Sequence, residues 1–224
     1  PYIISSKRVF VESAKNSTGE SSTRECKIYR AGDVVFTLAG FYKDPFRGYD
    51  VRELVSGSIG TGVSVTEAVD AVVNAVSTGL RDELARLRSE APALYNKHIR
   101  GKTAPLVRIL LAGREQGVAK VVLLDLHPVP MPSGEMLIRA HRTVCPGDCN
   151  SQGITAFFLT ERTAIDAYLK KGGKLDWSAP ERAAKEMVEL VIASRAPGVG
   201  PPVDVLRLDA AGVKWVERKP ECTE

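Results

Sequence analysis

The sequence predicts an α+β fold: a four-layer αββα sandwich of two antiparallel sheets flanked by helices. Three observations carry this reading. Strand-like runs come in consecutive groups, so neighbouring strands pair antiparallel. The helical stretches come in blocks rather than after every strand, which argues against a doubly wound parallel sheet. Hydrophobic residues make up 44% of 224 residues, enough for a sizeable core. One domain over residues 1–224 is expected, because no internal repeat and no linker interrupts the pattern.

The elements follow in order. Tyr2–Ser5 and Val9–Glu12 are short β-type runs separated by "SKR". Asn16–Thr23 is a Ser/Thr/Gly-rich loop. Cys26–Tyr29 and Val34–Ala39 form the next two strands, and "RAGD" between them is a turn with Gly32 at a position suited to positive φ. The period then changes. Val65, Val69, Val72, Val73, Val76, Leu80, Leu84 and Leu87 recur at spacings of three and four, the apolar stripe of one long helix. Ser64 and Glu67 make a capping box at its start. Gly79 weakens the middle of this helix and permits a kink, and Pro92 opens a second, shorter helical piece.

Strands return at Leu106–Gly113, Val118–Leu126, Met136–Val144 and Gly153–Leu159. "GREQG" (Gly113–Gly117) is a hairpin connection, and "HPVPMPSG" (His127–Gly134) reads as a Pro-rich loop. Thr160 caps a helix running to about Lys171, stopped by Gly172 and Gly173. Ser178, with Glu181 as box partner, caps another that turns Ala183, Met187, Val188, Val191 and Ile192 inward. Val203–Asp209 and Val213–Glu217 close the chain through the turn "AAG".

Charge excludes one class of partner. The net charge is +4, with both signs interspersed, as in "RDELARLRSE". This is a solvated helix face rather than a nucleic-acid groove, and no basic stripe is interleaved with aromatics. No apolar run approaches the roughly 18–20 residues of a membrane span, and no signal peptide is visible at Pro1. No metal or other cofactor is expected. His98, His127 and His141 lie in separate segments at no ligand or triad spacing. Trp177 and Trp215 read as packing residues, and Asp148 as a turn residue. "NST" at Asn16 is a glycosylation acceptor only in a eukaryotic secretory setting.

Four cysteines permit disulfides without requiring them. "CPGDC" closes a tight turn that brings Cys145 near Cys149, so a bridge there is sterically plausible, leaving Cys26 and Cys222 as the other pair. Free thiols are the alternative. A metal site is the least favoured, since it would usually need two hooks of CxxC type and the chain has one hook-like turn, of CxxxC spacing. Disulfides would place the protein outside a reducing cytosol.

The layout resembles the proteasome-subunit fold of the N-terminal nucleophile hydrolases over nearly the whole chain. "RVFVESAKNS" is similar to that family's second strand and following loop, "CKIYRAGDVVFTLAGFYKD" to its lysine strand, next strand and "AG…D" turn, and "VGPPVDVLRLDAAGVKWV" to its last two strands. "CKI", "CPGDC" and "VGPPVDVLRLDAAGVKWVERKPEC" resemble a group of secreted bacterial proteins of this fold. The resemblance implies a secreted or periplasmic protein, a homo-oligomer, and an amide or peptide substrate.

It also implies roles. In active members the first residue is Thr, Ser or Cys, with its own α-amine as base. A lysine on the third strand lowers the nucleophile's pKa, and a glycine after the next strand supplies an oxyanion N–H. Lys27 and Gly40 match those two positions. Read from the residues alone, Lys27 is equally an exposed strand lysine and Gly40 a bare turn glycine. Other positions depart from the pattern. Pro1 carries no side-chain nucleophile, and pairing "RVFV" with the family's second strand puts Pro1 about three to five residues past the expected one, so either the nucleophile lies upstream or the mature chain lacks it. The acidic support falls at Ser13 or Ala14, with Glu12 out of register, and the family's Asp and Ser fall near Ala196 and Val199. Three classes follow: a hydrolase with its nucleophile just upstream of Pro1, a non-catalytic homologue acting as a structural, assembly or binding subunit, and a small-molecule binding module.

Overall fold

Apolar periodicity decides most of the elements in the computed structural model, which describes residues 2–5, 26–44, 48–133, 135–149, 157, 159, 162–195, 203–209, 211–218 and 222. The chain is α+β, with antiparallel sheets and, among the described residues, five helices. It divides into two compact units: Pro1–Tyr29 with Thr160–Glu224, and Arg30–Leu159.

The second unit is built on a five-stranded sheet of order β2-β3-β6-β7-β8, whose edge strand β2 carries the chain in from the first unit. The strands are β2 (Ile28–Ala31), β3 (Val34–Gly40), β6 (Val107–Glu115), β7 (Val118–Pro130) and β8 (Met136–Cys145). β3 is buried from Val34 to Ala39, and β6 from Ile109 to Gly113. Such continuous burial is what unbroken Val/Leu/Ala runs specify, as opposed to the alternation of a half-wet sheet. Gly32 takes φ +56° in the β2–β3 turn, as its place in "RAGD" predicts. Gln116 (φ +50°) and Gly117 (φ +79°) make the two-residue β6–β7 hairpin, and positive φ at both suits the twist of the strands.

Against this sheet lies α2 (Val65–Glu90), with the predicted stripe inward: Val65, Val69, Val72, Val76, Leu80, Leu84 and Leu87 are buried, whereas Val73 is half-buried. Its capping box is complete, Ser64 Oγ accepting from Glu67 N and Glu67 Oε2 from Ser64 N. α2 runs as one element through Gly79, where a Cβ would sit 2.6 Å from Leu54 Cδ1. The glycine therefore serves the packing of α1 (Val51–Ser58) on α2. α1 and the small hairpin before it, β4 (Lys43–Asp44) with β5 (Tyr49–Asp50), have no counterpart in the sequence reading. α3 (Pro92–His98) starts at Pro92 as expected.

One loop is corrected. His127–Pro130 continues β7 and pairs with β8 from His127↔Arg139 to Pro130↔Met136. Leu126 offers its carbonyl to Leu106 N on the β6 side. By alternation Pro128 and Pro130 face that same side, beyond the start of β6 at Val107, where no ladder partner needs their missing N–H.

The first unit has a three-stranded antiparallel sheet of order β1-β9-β10: β1 (Tyr2–Ser5), β9 (Asp204–Asp209) and β10 (Gly212–Glu217). A register shift between Trp215 and Glu217 marks a bulge in β10. α5 (Pro180–Ala193) packs on β1 and β9, and α4 (Thr163–Lys170) packs on α5. Ala183, Met187 and Val191 are buried as predicted, whereas Val188 and Ile192 are half-buried. The expected α5 cap is corrected. Ala179 is the N-cap and makes no side-chain cap bond, while the Ser178 hydroxyl donates to Asp176. Helix α4 starts three residues after Thr160, which lies outside the described residues. So do Val9–Glu12, Asn16–Thr23 and all but Phe157 and Leu159 of the expected strand Gly153–Leu159, and these two are not in a strand.

Candidate functional site

Lys27 precedes β2 in the first unit and is 5% exposed. The solvated-strand alternative therefore fails. Lysine is seldom buried at this level without a partner, because desolvating an ammonium is costly. Its neighbour explains part of the placement: Cys26 is bonded to Cys222, with Cα atoms 5.5 Å apart, and Cys222 is itself buried. The disulfide anchors the backbone one residue before Lys27.

Gly40 ends β3 in the second unit, opposite Val107. Its φ is +90°, and a Cβ there would lie 2.1 Å from the Leu106 carbonyl oxygen. Phe41 N donates to that oxygen at 2.7 Å, and Tyr42 N donates to Gly40 O at 3.0 Å. The chain turns sharply where it leaves the sheet, and only glycine fits the turn. Pro1, Glu12, Ser13, Ala14, Asn16, Ala196 and Val199 lie outside the described residues.

Both cysteine pairs are disulfides: Cys26–Cys222, and Cys145–Cys149 with Cα atoms 5.1 Å apart. This is consistent with an oxidising, extracellular or periplasmic setting. Among the described residues no helix is long and apolar enough to cross a membrane. His127 and His141 lie on adjacent strands and His98 ends α3, and no group of three or more His, Cys, Asp or Glu among the described residues could hold a metal ion. Asp148 is a turn residue as expected, its carboxylate accepting from Val144 N at 2.8 Å. Trp177 corrects the packing expectation, being 37% exposed, whereas the half-buried Trp215 lies under Arg218, 4.7 Å from guanidinium carbon to ring centroid.

Two features were missed in the sequence. The first is a cavity of about 420 Å³ in the first unit, between the opening turn of α5 and β9–β10. Ser178, Glu181, Arg182, Lys185, Val205 and Glu217 line it. Lys185 pairs with Glu217 at 2.6 Å, which raises the Lys185 pKa, and Arg207 pairs with Glu181 at 3.5 Å. Acidic and basic groups at the rim neutralise one another, so no net charge selects a ligand. No motif marks these positions, because helix and strand meet there only through tertiary packing.

The second is Tyr49 in the second unit. It is 4% exposed, stacks on Phe41 with centroids 5.4 Å apart, and its hydroxyl has no hydrogen-bond partner among the described residues. Burial, then the charges of Glu83 and Asp50, push its phenol far above the ordinary tyrosine range. Tyr49 therefore stays neutral and contributes no base.

No protein-family model matches this chain, and no curated protein is significantly similar to it.

Proposed function

We propose that the protein is an amide or peptide hydrolase of the N-terminal nucleophile type, built on a four-layer αββα sandwich. The observation that carries the reading is the burial of Lys27 at 5% exposure. A chain keeps a lysine there at a desolvation cost, and the resemblance gives that cost a use. In this reading a Thr, Ser or Cys upstream of Pro1 attacks the amide carbonyl, and its own α-amine takes the proton. The Lys27 ammonium favours the deprotonated nucleophile, and the Gly40 N–H receives the developing oxyanion. The protein acts outside the reducing cytosol as a homo-oligomer.

The test is N-terminal sequencing of the naturally matured protein together with an electrophilic amide or β-lactone probe. A mature chain beginning with Thr, Ser or Cys, labelled at that residue and unlabelled in Lys27→Ala, is the expected result. Absence of label on a chain with an intact natural N-terminus overturns the reading.

A second reading, a non-catalytic assembly or binding subunit, is favoured by Gly40. The approach of Leu106 O requires glycine there whether or not an oxyanion ever forms. It predicts a defined large assembly by light scattering and no probe label.

A further inference from the structure

The two disulfides differ in access and in what holds their halves together. In the long disulfide Cys222 is buried, 5% exposed, and Cys26 is half-buried. Cys145 and Cys149 are half-buried at the end of β8, and Pro146, Gly147 and Asp148 between them are exposed. Their turn is closed three times without the sulfurs. Asp148 N donates to Val144 O at 2.7 Å, Val144 N donates to the Asp148 carboxylate at 2.8 Å, and Cys149 N donates to Pro146 O at 3.3 Å. The Cys145 backbone is also fixed by its place opposite Val121 in the β7–β8 ladder. Opening the S–S bond therefore leaves both thiols where they were, and releases a loop whose ends are only four residues apart.

We propose that Cys145–Cys149 is a thiol–disulfide exchange site served by dithiol partners, which reduce it, and by their disulfide forms, which reoxidise it by the reverse exchange, while the fold and the Cys26–Cys222 bond stay intact. A partner thiolate attacks one of the two sulfurs, forming a mixed disulfide and releasing the other cysteine as thiolate. The partner's second thiol then attacks the mixed disulfide. The partner leaves as a disulfide, its two electrons pass to the pair, and two protons end on Cys145 and Cys149. The preset turn also dictates which reductants succeed. The released cysteine stays beside the mixed disulfide at high effective concentration, so a monothiol is expelled before a second one arrives. A dithiol competes because its own second thiol is equally tethered.

The test uses the native protein. It is exposed to dithiothreitol or to a monothiol at equal thiol concentration, quenched with iodoacetamide, and mapped by mass spectrometry, with circular dichroism monitoring the fold. Cys145 and Cys149 should be alkylated at least about tenfold faster than Cys26 and Cys222, because both sulfurs of the short bond are half-buried whereas one end of the long bond, Cys222, is buried. The spectrum should not change, and the monothiol should yield little product. In Asp148→Ala, which frees one closure of the turn, the monothiol should yield more. Equal rates for the two disulfides, reduction only with loss of structure, or a monothiol as effective as the dithiol would each overturn the proposal.

Discussion

The two compact units are held together by different means. The unit from Arg30 to Leu159 contains two adjoining strands, β3 and β6, that are buried over most of their length, a third, β7, buried from Val121 to Leu124, and a 26-residue helix turning nine buried side chains inward. The other unit has strands of four to six residues, a β10 with no buried position, and helices α4 and α5 that bury one and three residues. It adds the Cys26–Cys222 bond across 196 residues of sequence and a set of ion pairs. Those pairs are one-third or more exposed on both sides, and pairs of that kind contribute about 0–1 kcal/mol each. Among the described residues, burial is dense in one unit and sparser in the other, where a covalent staple adds to it.

The largest expected effect is loss of that staple. Replacing Cys26 and Cys222 together by Ser should cost up to about 5 kcal/mol on a chain-entropy estimate for so long a loop. Limited proteolysis should find the new cuts in the first unit. Cuts spread evenly over both units would break the contrast.

Next in size is the core of the second unit. Leu124 in β7 is 0% exposed between paired strands, and Leu124→Ala should cost about 2–5 kcal/mol by denaturant melting. Replacing Cys145 and Cys149 together by Ser should cost less, about 2 kcal/mol, because a four-residue separation constrains the unfolded chain little. A cost equal to that of the long disulfide would mean that the short bond holds β8 in place, against the hydrogen bonds that close its turn.

The contrast also explains what could be read in advance. α2, β3, β6 and β7 are specified by dense local patterns, a stripe at three-four spacing or a run of apolar residues, and each was legible. Elements specified by few contacts were not. α1 buries only Val51 and Val55, too few for a periodic signal, although Asp50 with Glu53 three residues on has the spacing of a cap. Its N-terminus is indeed capped, Asp50 accepting from Arg52 N. The prolines of 128 and 130 misled for a geometric reason: a missing N–H matters only on the side where a partner strand lies, and sequence does not tell which side that is. At the candidate site, the Cys145–Cys149 turn and the glycine at Gly40 were legible because spacing and turn chemistry are local properties, whereas Cys26–Cys222, 196 residues apart, followed only as the remaining pair, with free thiols left open. The burial of Lys27 and the cavity beside α5 were not, since both arise where distant segments meet.

The smallest effect sharpens the comparison at the start of α2. Ser64→Ala removes one arm of the capping box and should cost about 1 kcal/mol. The other arm has its own signature. Glu67 is held below the ordinary carboxylate range first by the hydrogen bond from Ser64 N to its carboxylate and second by the Ser64 hydroxyl beside that carboxylate. Its folded pKa is depressed, so its contribution is present above the unfolded value near 4.5 and is lost as pH falls through the folded value. Alanine keeps the backbone N–H and loses the hydroxyl. In Ser64→Ala the Glu67 carboxyl, followed by NMR titration, should therefore rise only part of the way to 4.5, because its larger cause survives. A full return would mean that the serine side chain, rather than the backbone donor, organises the helix end.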